Sequence, residues 1–282
     1  MRYHARLMAL VALGIALATQ ANAATITIQV MDAVGEGFND PAAFVAMGGN
    51  NATTVGQARR NVFNEAARLW GLLINSNVNI VVEASFDPLT CSASSGVLGS
   101  AGPVWIFHDF VGSPLPGVFY PAALADALHG SNIHGTNSNG TPFGDTDISA
   151  QFNSAINGDA TCLQGSHFYY GFDHQLSAHS AQGPFVADLL GVVLHELGHG
   201  LGFLSLVDQT GAGITDSGGT PLLGAFDQFV YDENSAMFWP QMSAAQRATS
   251  QAGLGGGAAT ALTWNAANVN NNLGRETSGL SS

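Results

Sequence analysis

One stretch of this 282-residue chain carries side chains in a chemically productive spacing: His195-Glu196-Leu197-Gly198-His199. Histidines at i and i+4 lie on one face of a helix, about 6 Å apart, so both imidazoles can reach one ion. A glutamate directly after the first histidine lies beside that face, where it can hold a water instead of the metal. Zinc held this way lowers the pKa of its water towards about 7 and polarises a carbonyl. Glu196 then takes the proton during attack and delivers it to the leaving amine. At this composition the pattern arises by chance in about 0.6% of chains, and it lies in an apolar helical stretch, as the chemistry requires. The expected chemistry is peptide-bond hydrolysis, with His195 and His199 as zinc ligands and Glu196 as general base.

Other reaction classes find less support. There is no G-x-S-x-G and no P-loop, and Gly198, Gly200 and Gly202 sit at a helix end, not in a dinucleotide loop. No His follows His199, so a third zinc ligand must be a downstream carboxylate, an earlier His or another group. His174 and His179 precede the motif and could line a cleft, while Tyr170 or Tyr231 could donate to an oxyanion. Asp145 with Asp147, or Asp208 with Asp216, could bind calcium (Ca2+), although neither spacing matches an EF-hand loop.

The elements that must position this site follow from periodicity. Residues 26–30 alternate apolar and polar as a half-buried strand does. Thr53 or Thr54 caps a helix of about five turns, with Val62, Phe63, Ala66, Leu69, Trp70 and Leu73 on its apolar face. Strands are expected over 78–86, 104–107 and 168–170, with short helices at 122–128 and 147–156 in a loop-rich middle spanning 111–165. Pro184 opens the most helical segment, about 184–202, which ends where Gly200 and Gly202 accumulate. Residues 225–231 read as a strand and 243–250 as a helix. This order predicts an α+β class, not a doubly wound sheet.

Composition narrows the setting. The chain has 7 basic residues, all Arg, against 20 acidic ones, a net charge of −13 that argues against nucleic-acid binding. Arg2 and Arg6, an apolar run over 7–18 and Ala21-Asn22-Ala23 form a signal-peptide pattern over residues 1–23. That run is too short to span a bilayer, and no later stretch qualifies, so no integral membrane segment is expected after cleavage. The mature chain, 24–282, is expected to be secreted or periplasmic. Cys91 and Cys162, the only cysteines, are then expected to form one disulfide. Nothing in the residues sets the oligomeric state.

The extended string His195-Glu-Leu-Gly-His199-Gly-Leu-Gly202-Phe203 resembles the metzincin clan of zinc endopeptidases, and is most similar to exported bacterial proteins related to leishmanolysin-like peptidases. Gly35-Glu36-Gly37-Phe38-Asn39-Asp40, Gly56-Gln57-x-Arg59 and Trp239-x-x-Met242 with Gln246-Arg247 extend the similarity over much of residues 30–270. The resemblance implies a zincin-like catalytic domain with a mixed sheet, one catalytic zinc ion (Zn2+) and a protein or peptide substrate. It also implies a sharp turn at Gly202 that brings a later ligand under the zinc. Where a metzincin often has its third His, this chain has Ser205. Asp232 is the preferred third ligand, because it precedes Met242 as a late ligand precedes the Met-turn in the related enzymes. Asp227, ten residues before Met237, and Asp208 are the alternatives. One domain is expected over 24–282, with an N-terminal subdomain over 24–204 and a smaller one over 205–282. The expected function is secreted zinc endopeptidase. A secreted binding or adhesion protein with a vestigial, non-catalytic domain is the competing expectation.

Overall fold

The computed structural model describes residues 23–135, 144–252 and 262–264. The signal-type segment therefore lies outside the described residues, except for Ala23. The first half contains β1 (Ile26–Val30), α1 (Val55–Leu73), β2 (Ile80–Asp87), β3 (Gly99–Pro103), β4 (Ile106–Phe107), β5 (Val118–Pro121), α2 (Ala122–His129) and β6 (Ile148–Asn153). The second contains β7 (His167–Tyr169), β8 (Phe185–Asp188), α3 (Leu189–Leu201), β9 (Ile214–Thr215), β10 (Pro221–Gly224), β11 (Val230–Asp232), β12 (Met237–Phe238), α4 (Ala244–Ala252) and β13 (Leu262–Trp264). The class is α+β.

The principal sheet runs β1-β2-β6-β3. β1, β2 and β6 are parallel, and β3 pairs antiparallel with β6 at the edge. β2 is interior; after Ile80, Val81 and Val82 it alternates, with buried Ala84 and Phe86 on one face and half-buried Glu83, Ser85 and Asp87 on the other. α1 begins where the Thr54 side chain accepts from the Gln57 N–H, and it buries Val62, Phe63, Ala66 and Ala67. Phe63 meets Phe38 and Phe152 edge-on at 4.7 and 4.9 Å, forming the aromatic centre of the core. α3 packs on the same core through Leu189, Leu190, Val193 and Leu197, all 0–1% exposed.

The expected helix over 147–156 is instead β6. Its buried residues, Ile148, Ala150 and Phe152, alternate with exposed Ser149 and Gln151, a period of two that no helix accommodates. The expected helix start at Pro184 is also corrected. Residues 185–188 form β8, parallel to β7, and α3 starts only after Asp188, whose Oδ1 accepts from the Leu190 N–H at 3.1 Å. The cap residue, not the proline, sets the start. The strand expected over 225–231 begins only at Val230, after the 3-10 turn Phe226–Phe229.

Cys91 and Cys162 form a disulfide with Cα atoms 5.3 Å apart. Val230, Trp239, Met242 and Leu262 make a separate small hydrophobic cluster in the later part of the chain. β10 pairs in parallel with β5, a link between the parts of the chain before and after residues 204–205. Among the described residues, no helix is long and apolar enough to cross a membrane.

Candidate metal centre and active site

α3 is held at three levels. Asp188 caps its start, and the Trp70 indole N–H of α1 donates to the Leu194 carbonyl at 3.0 Å. Gly200 lies against β6, where an added Cβ would come within 2.4 Å of Ile148 Cγ2. Only a residue without a side chain permits that approach. Gly202, at φ 120°, ends the helix and turns the chain back.

This frame leaves one polar turn facing out, and it carries the motif. His195 is exposed, while Glu196 and His199 are half-buried. The two Nε2 atoms are 3.1 Å apart, and the rings stand nearly perpendicular at 89°. Two nitrogens at 2.0–2.1 Å from one tetrahedral ion would be separated by about 3.4 Å. His199 Nδ1 lies 2.7 Å from the Phe203 carbonyl oxygen. That oxygen only accepts, so Nδ1 carries the ring proton and Nε2 presents its lone pair outward. The two nitrogens match part of the ligand set of a zinc ion, which takes three protein ligands in a catalytic site. Glu196 Oε2 accepts from the Ala101 N–H of β3 at 3.1 Å, which moors the carboxylate to the sheet edge.

Among the described residues, no further His, Cys, Asp or Glu gathers with His195 and His199 into a metal-sized group. Asp232 is 5% exposed, and its Oδ1 accepts from the Asn234 N–H at 2.9 Å. It lines a cavity of about 550 Å³ with Asn234, Met242 and Ser250, which no residue of the motif lines. Asp227 is fully buried, and its Oδ2 accepts from the N–H groups of Leu206 and Gly224 at 3.1 and 2.8 Å. Burial pushes its carboxyl above the usual range, against the nearby Ser205 hydroxyl and those N–H donors, which pull it down. Asp208 is committed to its own turn, accepting from Thr210 and Ala212.

Several lesser candidates also have other work. His174 pairs with Asp188 at the head of α3, and His179 pairs with Asp173. Tyr170 is buried, and its hydroxyl accepts from Arg59 Nε. Tyr231 packs edge-on against Phe238 at 4.9 Å. Asp216, like Asp208, closes a turn, accepting from Gly218 and Thr220. Asp145 accepts from Asn132 and does not join Asp147.

Asp147 belongs to a different group. Asp126, His134 and Asp147 are all buried, and their ligand atoms lie within 4.8 Å of one another, so the group could hold a metal ion. Burial pushes the Asp147 carboxyl up to about 6, with neighbouring Asp126 adding to the rise. Burial likewise raises Asp126. Sequence reading missed Asp126 and His134, because a spacing of eight and then thirteen residues matches no familiar ligand pattern. Comparison of the chain with protein-family models, curated proteins and solved structures found no match.

Proposed function

We propose that this chain is an exported zinc endopeptidase, acting on protein or peptide substrates at the α3 motif. The observation that carries the reading is the paired imidazole geometry: two Nε2 atoms 3.1 Å apart, one with its Nδ1 anchored to Phe203, and Glu196 on the same turn. His195 and His199 would hold the zinc, which supplies a lowered water pKa and a polarised carbonyl when bound. Glu196 takes the water's proton on its carboxylate and passes it to the leaving amine. The Ala101 N–H keeps that carboxylate aimed along β3.

β3 is the end strand of the principal sheet, so an extended peptide can add to its outer edge and lie beside Glu196. β7, which also offered a strand near residues 168–170, is buried and paired with β8, and serves less well. Export is supported by the disulfide, since such bridges persist in oxidising compartments.

One observation favours a second reading, a secreted binding or adhesion protein with a non-catalytic domain. No third carboxylate or imidazole joins the pair among the described residues. Hydrolysis of casein or a quenched peptide separates the two. The peptidase reading expects cleavage that a chelator stops, zinc restores and Glu196→Gln lacks. Zinc-loaded protein with no cleavage would leave the binding reading standing.

A further inference from the structure

The peptidase reading leaves the second cluster unused. Asp126 lies within α2, His134 in the loop after it, and Asp147 immediately before β6. All three side chains are 1–2% exposed. His134 Nε2 is 3.3 Å from Asp126 Oδ2 and 3.4 Å from Asp147 Oδ1, yet none of these three atoms has a hydrogen-bond partner.

Their remaining polar atoms all bond outward. Asp126 Oδ1 accepts from the Ile133 N–H at 3.0 Å, and Asp147 Oδ2 from the Val81 N–H at 2.7 Å. His134 Nδ1 lies 2.8 Å from the Gly144 carbonyl oxygen. Since that oxygen only accepts, Nδ1 carries a proton, and Nε2 is the ring atom that faces the two carboxylates. Two carboxylate oxygens and this nitrogen then face one another in a dry site, an arrangement that requires a cation: a metal ion among them or a second proton on the ring.

We propose that Asp126, His134 and Asp147 bind a second, structural metal ion, distinct from any at the α3 motif. An imidazole with two carboxylates suits zinc or a similar divalent transition ion, whereas calcium and magnesium take oxygen ligands. The outward bonds are the kind that orient metal ligands and fix the histidine tautomer. Bound there, the ion ties α2 and its following loop to the start of β6, and through Val81 to β2. The rival arrangement is a metal-free ion pair, in which a doubly protonated His134 bridges two carboxylates.

The test uses the full chain carrying His195→Ala and His199→Ala, so that the α3 pair cannot hold metal. This protein is stripped with chelator, reloaded with zinc or cobalt(II), desalted and assayed for metal content, visible absorption and melting temperature. The expected result is about one metal per chain, visible cobalt bands from a protein-ligated ion, and a melting temperature about 10 °C higher than the stripped form. Adding His134→Gln or, separately, Asp147→Asn should remove the metal and the chelator-sensitive rise. If the His195→Ala, His199→Ala chain takes up no zinc or cobalt and melts identically with and without chelator, the ion-pair arrangement holds and the proposal fails. If a full equivalent survives His134→Gln, the ion sits elsewhere and the proposal also fails. Neither outcome depends on peptidase activity.

Discussion

The backbone N–H of Ala101, on the edge strand of the principal sheet, donates to Glu196 Oε2 on α3 across 3.1 Å. This end strand therefore orients the proposed base. Glu196→Gln keeps a carbonyl oxygen that can accept from Ala101, so helix and histidine pair should persist, but the side chain can no longer take a proton. The expected outcome is unchanged zinc content with hydrolysis reduced about 10²–10⁴-fold. A variant with full turnover would remove Glu196 from the chemistry.

The three aspartates weighed as a third ligand should behave differently from one another. Asp208→Ala and Asp232→Ala should leave zinc at the α3 pair, because each carboxylate serves its own turn. Asp227→Ala should instead destabilise the protein, since it strips the acceptor from two N–H groups, Leu206 and Gly224. Each unsatisfied buried donor costs about 1–3 kcal/mol, and each kcal/mol lowers the melting temperature by about 2–4 °C at this size. Calorimetry with metal analysis checks all three. Zinc loss in Asp232→Ala without unfolding would mean that Asp232 reaches the pair after all.

Asp227 also predicts a pH dependence. Its native carboxyl is raised by burial, above an unfolded value of about 3.9. The native state then holds its proton longer than the unfolded state does. Its contribution is therefore greatest at acid pH and declines as pH rises from about 4 through the raised native value. The stability difference between the natural chain and Asp227→Ala should shrink between pH 4 and neutrality. Urea titrations across that range would read it, and a difference that grows with pH would contradict the assignment.

Local features of this fold were legible where one pattern had no competitor. The alternation at residues 26–30, the Thr54 cap, the apolar face of α1 apart from Leu73, which is exposed at the helix end, and the HExxH spacing lead directly to observed elements. Residues 147–156 misled because Ile148, Phe152, Ala155 and Ile156 fit a helical spacing while Ile148, Ala150 and Phe152 fit a strand, and pairing with β2 and β3 decides it. Pro184 reads as a start signal, but Asp188 makes the capping bond. The Asp126–His134–Asp147 group is a product of tertiary folding. Its members come from a helix, a loop and the approach to a strand, and nothing local links them.

The Cys91–Cys162 bridge has a sequence separation of 71 and encloses β3, α2 and β6. It thus constrains both the strand that moors Glu196 and the three ligands of the proposed second metal. Closing a loop of this length stabilises the fold by about 4 kcal/mol in the chain-entropy model. Replacing both cysteines by Ala should lower the melting temperature by about 10 °C, while His195, Glu196 and His199, held by α1, β6 and Asp188, keep their arrangement. The expected outcome is retained zinc with reduced thermal stability. Denatured, unreduced natural protein should show no free thiol, and two titratable thiols would refute the bridge. If the double variant melts unchanged, the enclosed segment is already fixed by packing, and the bridge contributes little to the unfolding equilibrium.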